Sequence, residues 1–516
     1  MPSFAEVQDN QIPRTESPPE TRGATMSNNP TIISRVIAGG VVFLACCFGL
    51  FRWWQSRPQV DLGLRLTDMV AETRAGTLGG GPVSTEVVDI EGTFVEFESA
   101  PMGESSPWPQ FRGLNHDSIS VGDVPLAEAW PEGGPPVLWG HDLGEGHAGA
   151  AIFKGRVFVM DYDEELGGDA LRCFDLFDGR EYWRRSYVAP TKRNHGVSRT
   201  VPAVSEKYTV AIGPRCFVMC VDTETGAYRW GIDMVKEYGT EVPLWYTGQC
   251  PVIKDGVAIL APVGAETLMM GVDCETGEVL WRTPNPGGWL MAHSSITPMK
   301  LLGINQYVYA AVGGILGVSA EPESVGELLW SSTVWTNSVT SPSPVAIEDD
   351  RIFVTAGYGG GSMMLGLKQE GDGIVISPLF ELSKKVFGCE QQTPLYFKDH
   401  LYAILPKDAS ALRGQFVCLK TDGTINWTSG KDQRFGLGPF LVADDKILLL
   451  DDDGELTMMR ASTEGYEQLA RHAPLAGHDA WAPMAISDGL LVLRDSHHMI
   501  CLDLRVGASN SGTKEQ

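Results

Sequence analysis

The sequence predicts an all-β fold: an eight-bladed β-propeller closed by an N-terminal strand, with an N-terminal transmembrane helix ahead of it. Three observations predict the propeller. A Gly-x3-Trp motif recurs at nearly constant spacing. A second, proline-led ladder runs in phase with it. The last repeat is short by one strand, while a strand with no local partner stands ahead of the first repeat.

Residues 1–31 are polar and Pro-containing and read as a disordered tail, with Met26 as an alternative start. Residues 32–54 read as a transmembrane signal anchor. "VIAGGVVFLACCFGLF" at 36–51 carries no charge, and Ile32, Ile33, Trp53 and Trp54 extend it towards the roughly 20 residues that a membrane helix needs. The alternatives are a cleaved signal peptide, a buried helix, or a lipoprotein signal at Cys46, which Phe43 and Leu44 fit poorly. Arg35 and Arg52 bracket the run, so flanking charge sets no orientation. Residues 55–106 read as a linker, with "GTLGGGP" at 76–82 and an acidic run at 86–98 that could fold back as a local hairpin.

Residues 107–506 form the repeat region, and 507–516 a disordered tail. "FDGREYW" (177–183), "ETGAYRW" (224–230), "ETGEVLW" (275–281), "SVGELLW" (324–330) and "TDGTINW" (421–427) all place Gly four residues before Trp. Trp183, Trp230, Trp281, Trp330 and Trp427 lie 47, 51, 49 and 97 residues apart, the last interval being two periods. Degenerate copies fill 371–380 and 463–469. "TVPAV", "CPVI", "TPM", "SPVAI", "TPLYF", "GPFLV" and "APMAI" form the second ladder, because proline is tolerated where a strand begins. Turn residues and a β-branched strand follow most of them, a hairpin signal. Each unit thus holds about four short strands, the size of one propeller blade. A blade cannot bury both faces alone, so the recurring Trp is expected to wedge against a neighbour. The eighth unit, 482–504, stops after three strands. "PVLW" at 136–139, ending on Trp139, supplies the fourth and closes the ring.

Cys173, Cys220, Cys418 and Cys501 share one repeat-equivalent position, which wants a small buried side chain. Sites on separate blades are too far apart for disulfides, and Cys-x2-Cys metal spacing is absent. "DDDGE" at 451–455 sits between two apolar runs and reads as a hairpin turn rather than a calcium loop. In "WPQFRG" at 108–113, Trp108 and Phe111 are expected to pack on the propeller and Arg112 to pair with the acidic surface.

The net charge of −25 argues against a nucleic-acid partner, which needs a basic face. Candidate ligand- or partner-binding residues come from repeat geometry. Segments just before each inner strand gather at one mouth of the channel, bringing His147, His195, Arg199, Trp245 and Gln249 towards His293, Glu390, Gln392, Asp479 and Trp481. The same groups could instead bond one another and water in a filled channel. No nucleophile–base order or carboxylate pair names a catalytic set, and no metal ligand set stands out.

"DTETGAYRW" (222–230) and "DCETGEVLW" (273–281) resemble the pyrroloquinoline-quinone-type propeller repeat, and the resemblance extends over 107–506. That repeat builds quinoprotein alcohol dehydrogenases and the non-catalytic propeller lipoprotein of the outer-membrane barrel-assembly machinery. The resemblance implies a membrane-anchored propeller on the extracytoplasmic, periplasmic side, serving as a binding or assembly scaffold for a protein or small ligand. No cofactor is expected. The alternatives are a quinone-dependent oxidoreductase with calcium and a divergent site, or a propeller enzyme of another kind. In the dehydrogenases adjacent cysteines form a disulfide over the quinone. Here the adjacent pair is Cys46-Cys47, inside the apolar run.

Overall fold

A computed structural model describes residues 87–97, 103–371 and 373–509. The proposed membrane segment, most of the linker and both tail ends lie outside the described residues. Among the described residues no helix is long and apolar enough to cross a membrane.

Eight antiparallel sheets follow one another along the chain, and each is a meander. Blade 1 spans residues 150–188, blade 2 203–233, blade 3 252–284, blade 4 297–332, blade 5 345–382, blade 6 395–428 and blade 7 440–472. Blade 8 is composite. Ala485–Ser487, Leu490–Arg494 and His498–Asp503 come from the C-terminus, and Val137–Asp142 from the other end of the repeat region adds the outer strand. Trp139 lies opposite Cys501, as the repeat count predicts. The backbone continues the seam on either side: Asp503 N donates to Pro136 O at 2.9 Å, and Leu143 N to His497 O at 2.7 Å.

The repeated Trp and Gly are two halves of one contact. Trp139, Trp183, Trp230, Trp281, Trp330 and Trp427 lie on outer strands, each beside a β-bulge, opposite Cys501, Cys173, Cys220, Gly271, Gly317 and Cys418. The indole lies across that partner, so only a small residue fits. A Cβ on Gly271 would stand 2.2 Å from Trp281 Nε1. The other side of the ring meets the next blade. Gly179 of blade 1 adopts φ +75°, and a Cβ there would stand 2.6 Å from the Trp139 ring. Gly226, Gly277 and Gly326 receive Trp183, Trp230 and Trp281 in the same way. Trp139 Nε1 donates to Leu176 O at 2.8 Å, and Trp230 Nε1 to Cys274 O at 3.0 Å, both across the blade junction. The motif thus encodes both the turn and the seat for the preceding blade's wedge. Phe380 takes the wedge position in blade 5, against Gly423. Gly277→Ala adds a Cβ at 2.8 Å from Trp230 on a left-handed backbone, and is expected to cost about 1–3 kcal/mol, read as a lower urea midpoint at unchanged m-value.

The shared-position cysteines are buried free thiols. Burial pushes the Cys173 thiol up to about 12, so it packs as a neutral group.

A hydrogen-bonded belt crosses the starts of the inner strands. Cys250 N donates to Ser295 Oγ, Ser295 N to Ser343 Oγ, and Ser343 N to Thr393 Oγ1, each at 2.9 Å, while Val201 N meets Cys250 Sγ at 3.2 Å. Each donor sits at the lead-in to an inner strand, and the belt ties blades 2 to 6 around the channel.

Two segments ahead of the repeats behave differently from expectation. The acidic run does not pair with itself. Thr93–Glu96 adds a fifth strand to blade 1, antiparallel to Glu181–Val188, with Phe94 under the Arg185 guanidinium at 4.8 Å. "WPQFRG" does pack on the propeller, but as a strap across the channel. Trp108 and Ile152 of blade 1 exchange backbone bonds at 2.8 Å, and Val204 N of blade 2 donates to Pro109 O. Ser118 and Ser120 bond Val442 of blade 7. Blades 2 and 6 face each other in an eight-membered ring, and Arg112 bridges to the second of them through Nη2 to Pro394 O at 3.1 Å. Arg112 therefore does not pair with the acidic surface. It is buried, bonding Ser118 Oγ as well, and desolvation lowers its pKa to about 10, partly offset by Asp117. A guanidinium carries enough donors to satisfy several carbonyls that a buried irregular strap would leave unpaired.

Candidate functional site

The strap makes the channel a cup of about 310 Å³, open at the lead-in mouth and floored by Phe111. His147, His195, Arg199, Trp245, His293, Glu390, Gln392 and Trp481 line it, drawn from the lead-ins of six different blades.

Arg199 organises one wall. Its Nε donates to Trp245 O at 2.5 Å, and its Nη2 to His195 O at 2.6 Å and Asn194 O at 3.1 Å. Those bonds hold unusual backbone: Trp245 has φ 63°, Tyr246 72° and His195 52°. Aromatic residues rarely adopt these angles, and such strain persists where surrounding structure over-determines it, often at ligand sites. Tyr246 is fixed further by its hydroxyl on Lys192 O. The Trp245 ring lies between His293, 6.2 Å away at 29°, and Tyr358, 5.8 Å away at 26°. Opposite, His147 packs on Trp481 with centroids 5.0 Å apart and shares His195 O at 3.0 Å. Trp481 is pinned from both ends. Its Nε1 donates to Asp452 Oδ1 at 2.7 Å, and its carbonyl accepts Gln392 Nε2 at 2.9 Å.

Two expected members fall outside the cup lining. Gln249 turns into blade 3, where Nε2 donates to Ala261 O and Oε1 accepts Ala261 N, a buried backbone patch. Asp479 stays near the mouth, its carboxylate 3.0 Å from His478 Nδ1. Phe111, Tyr358 and Lys407, none of them on a lead-in, also line the cup. Tyr358 and Lys407 belong to the loops between the second and third strands of blades 5 and 6, which open on the same face as the lead-ins. The irregular stretches "GYGGGS" and "PKDASALRG" mark those loops in the sequence. "DDDGE" is the predicted turn: Gly454 N bonds Asp451 O, and Asp451 Oδ1 accepts the amides of Asp453 and Glu455.

Burial and positive charge keep two of the imidazoles neutral, those of His147 and His293. Desolvation, then Arg199, brings His147 down to about 3 and His293 to about 4. Desolvation lowers Arg199 to about 10, which leaves it charged, and raises Glu390. Among the described residues neither Arg199 nor Lys407 forms an ion pair with a carboxylate. The folded pKa values of these histidines lie below the unfolded value of 6.5, so the unfolded chain binds the extra protons. Their contribution to stability is complete above pH 6.5 and is lost as pH falls towards 4 and 3. Asp169, buried and raised to about 7, acts with the opposite sign, its contribution falling as pH rises through 7. Site-resolved NMR is therefore the right measurement: the His147 and His293 rings are expected to remain neutral at about pH 5, and a midpoint near the ordinary value of roughly 6.5 would contradict the geometry.

Residues 168–371 match the family model described as outer membrane protein assembly factor BamB. The match is a likeness of this stretch, part of the eight-bladed propeller, to that family. The matched repeats run from the third strand of blade 1 into blade 5. Solved propellers with this architecture include quinohemoprotein alcohol dehydrogenase from Comamonas testosteroni, at 11% identity and TM-score 0.57, covering 80% of this chain and 82% of that one. A europium-containing methanol dehydrogenase aligns at 10% identity and TM-score 0.54, covering 75% and 89%. BamB from Moraxella catarrhalis aligns at 12% identity and TM-score 0.49, covering 71% and 99%. At these identities the likeness establishes the fold alone. No curated protein sequence matches the chain.

The cup's donor set does not fit a calcium-held quinone. Hard cations need several oxygen ligands, and Glu390 is the one carboxylate in the lining. Among the described residues no three His, Cys, Asp or Glu side chains cluster as a metal site, and none of the described cysteines is adjacent to another.

Proposed function

We propose that this chain is a non-catalytic binding propeller, a rigid ring that captures a ligand or a projecting group of a protein partner in its strap-floored cup. The observation that carries this reading is the cup itself: one closed end, two aromatic walls, two cations without a carboxylate partner among the described residues, and lead-in side chains converging from six blades. Left-handed backbone at the bulky residues Trp245, Tyr246 and Tyr358 supports it, since such angles persist where surrounding structure holds them, often at ligand sites. The apolar run at 36–51 supports a membrane tether, with the residues after it as a spacer; the extracytoplasmic side rests on the repeat's resemblance alone.

The rival reading is quinone-dependent oxidation. Titrating the full chain with pyrroloquinoline quinone and calcium tests it. The binding reading expects no shift in the quinone spectrum, no rise in melting temperature and no reduction of an added electron acceptor. A calcium-dependent rise in melting temperature with alcohol-dependent dye reduction would overturn it.

A further inference from the structure

Resting on the reading of the cup as a binding site, we infer that its ligand is an acidic saccharide, a pyranose bearing a carboxylate. Charge is the first argument. The chain carries a net −25, yet the cup lining holds Arg199 and Lys407 against the single carboxylate of Glu390. Neither cation is ion-paired among the described residues. The Arg199 guanidinium donates to three carbonyls but is not neutralised, so its charge favours an anion in the cup.

The second argument is shape. Tyr358 stacks on Trp245 at 26° and is itself 55% exposed, so its outer face, backed by Trp245, offers an aromatic surface to an incoming ring. The apolar C–H face of a pyranose packs on such a surface while its hydroxyls point outwards. Trp481 and His147 provide a second aromatic pair across the cup. At about 310 Å³ the cavity lies at the small end of ligand sites, the scale of a short saccharide rather than a folded partner.

The third argument separates a sugar acid from other anions. A neutral imidazole offers one donor and one acceptor, the complement of a hydroxyl. His147 already spends Nε2 on His195 O and its Nδ1 is buried, so the hydroxyl partners in the lining are His293, Glu390 and Ser341. A flat aromatic carboxylate would satisfy the cations and the stacking surface but bring no hydroxyl donors to Glu390 and Ser341. A neutral sugar would satisfy the hydroxyl partners but leave the cations unmatched.

The test is calorimetric titration of the full chain with glucuronate, glucose and benzoate. Glucuronate is expected to bind about 10- to 100-fold tighter than glucose, the worth of one charge-assisted hydrogen bond. Lys407→Gln removes one cation of the lining, and is expected to erase most of that preference. Trp245→Ala should abolish both, with circular dichroism and the melting transition confirming a folded ring. Equal binding of glucose and glucuronate, tighter binding of benzoate, or no glucuronate binding overturns the acidic-saccharide assignment. If benzoate binding disappears in Trp245→Ala, the cup survives as a binding site and only the ligand class falls. Quinone-dependent dye reduction would instead remove the binding-only reading itself.

Discussion

Deleting residues 136–142 abolishes the cooperative melting of the propeller. Without Val137–Asp142, blade 8 keeps three strands, and His498–Asp503 becomes an open edge at the one seam not bridged by continuous chain. The loss reaches blade 1 as well. Trp139 is 8% exposed, fills the space over Gly179 and donates to Leu176 O, and His141 bonds Gly179 O at 2.6 Å. Trp139→Ala alone is expected to cost about 3–5 kcal/mol, the usual range for a buried aromatic. That is a large part of the roughly 5–15 kcal/mol by which domains are stable, and the deletion removes the whole strand besides. Scanning calorimetry should show one sharp transition for the intact chain, and for the deletion a broad transition with reduced enthalpy. A deletion that melts like the intact chain would mean the C-terminal strands close the ring unaided.

Trp108→Ala gives the second large effect, again about 3–5 kcal/mol. Trp108 is 2% exposed, anchors the strap to Ile152 and covers Gly113. This substitution separates stability from site architecture. Releasing the strap withdraws Phe111 and opens the cup to the far side of the channel. Amide hydrogen exchange is the measurement: Gly113 N, Ser118 N and Ser120 N, bonded in the strap, should lose protection while the outer strands keep theirs. Unchanged protection at those amides would mean that Arg112 and its carbonyl partners hold the strap without Trp108.

What could be read from sequence follows from what is repeated. The Gly-x3-Trp motif is visible because the same wedge and seat recur from blade to blade, so blade number, register and the closing role of Trp139 were legible. The lead-ins share that period, which is why His147, Arg199, Trp245 and Trp481 could be gathered from distant parts of the chain. Periodicity says where a lead-in is, but not which way a side chain turns. Gln249 holds the same kind of position as Arg199, yet it bonds Ala261 inside its own blade. Tyr358 and Lys407 sit on loops whose lengths differ between blades, so no common spacing marks them. The strap has no period. Its partners are Ile152, Val204, Pro394 and Val442, and nothing local in "WPQFRG" distinguishes a surface arginine from one buried against carbonyls.

The central claim is an aromatic cup that is electropositive inside an acidic protein. Fluorescence quenching of Trp245, taken as the difference between the intact chain and Trp245→Phe, tests it without a ligand. Iodide and caesium are similar in reach and opposite in charge. The account predicts that iodide quenches the Trp245 component more strongly than caesium, and that the difference shrinks in Lys407→Gln and at high salt. Stronger quenching by caesium would show that the surface charge of the chain also governs the cup, and would contradict the account.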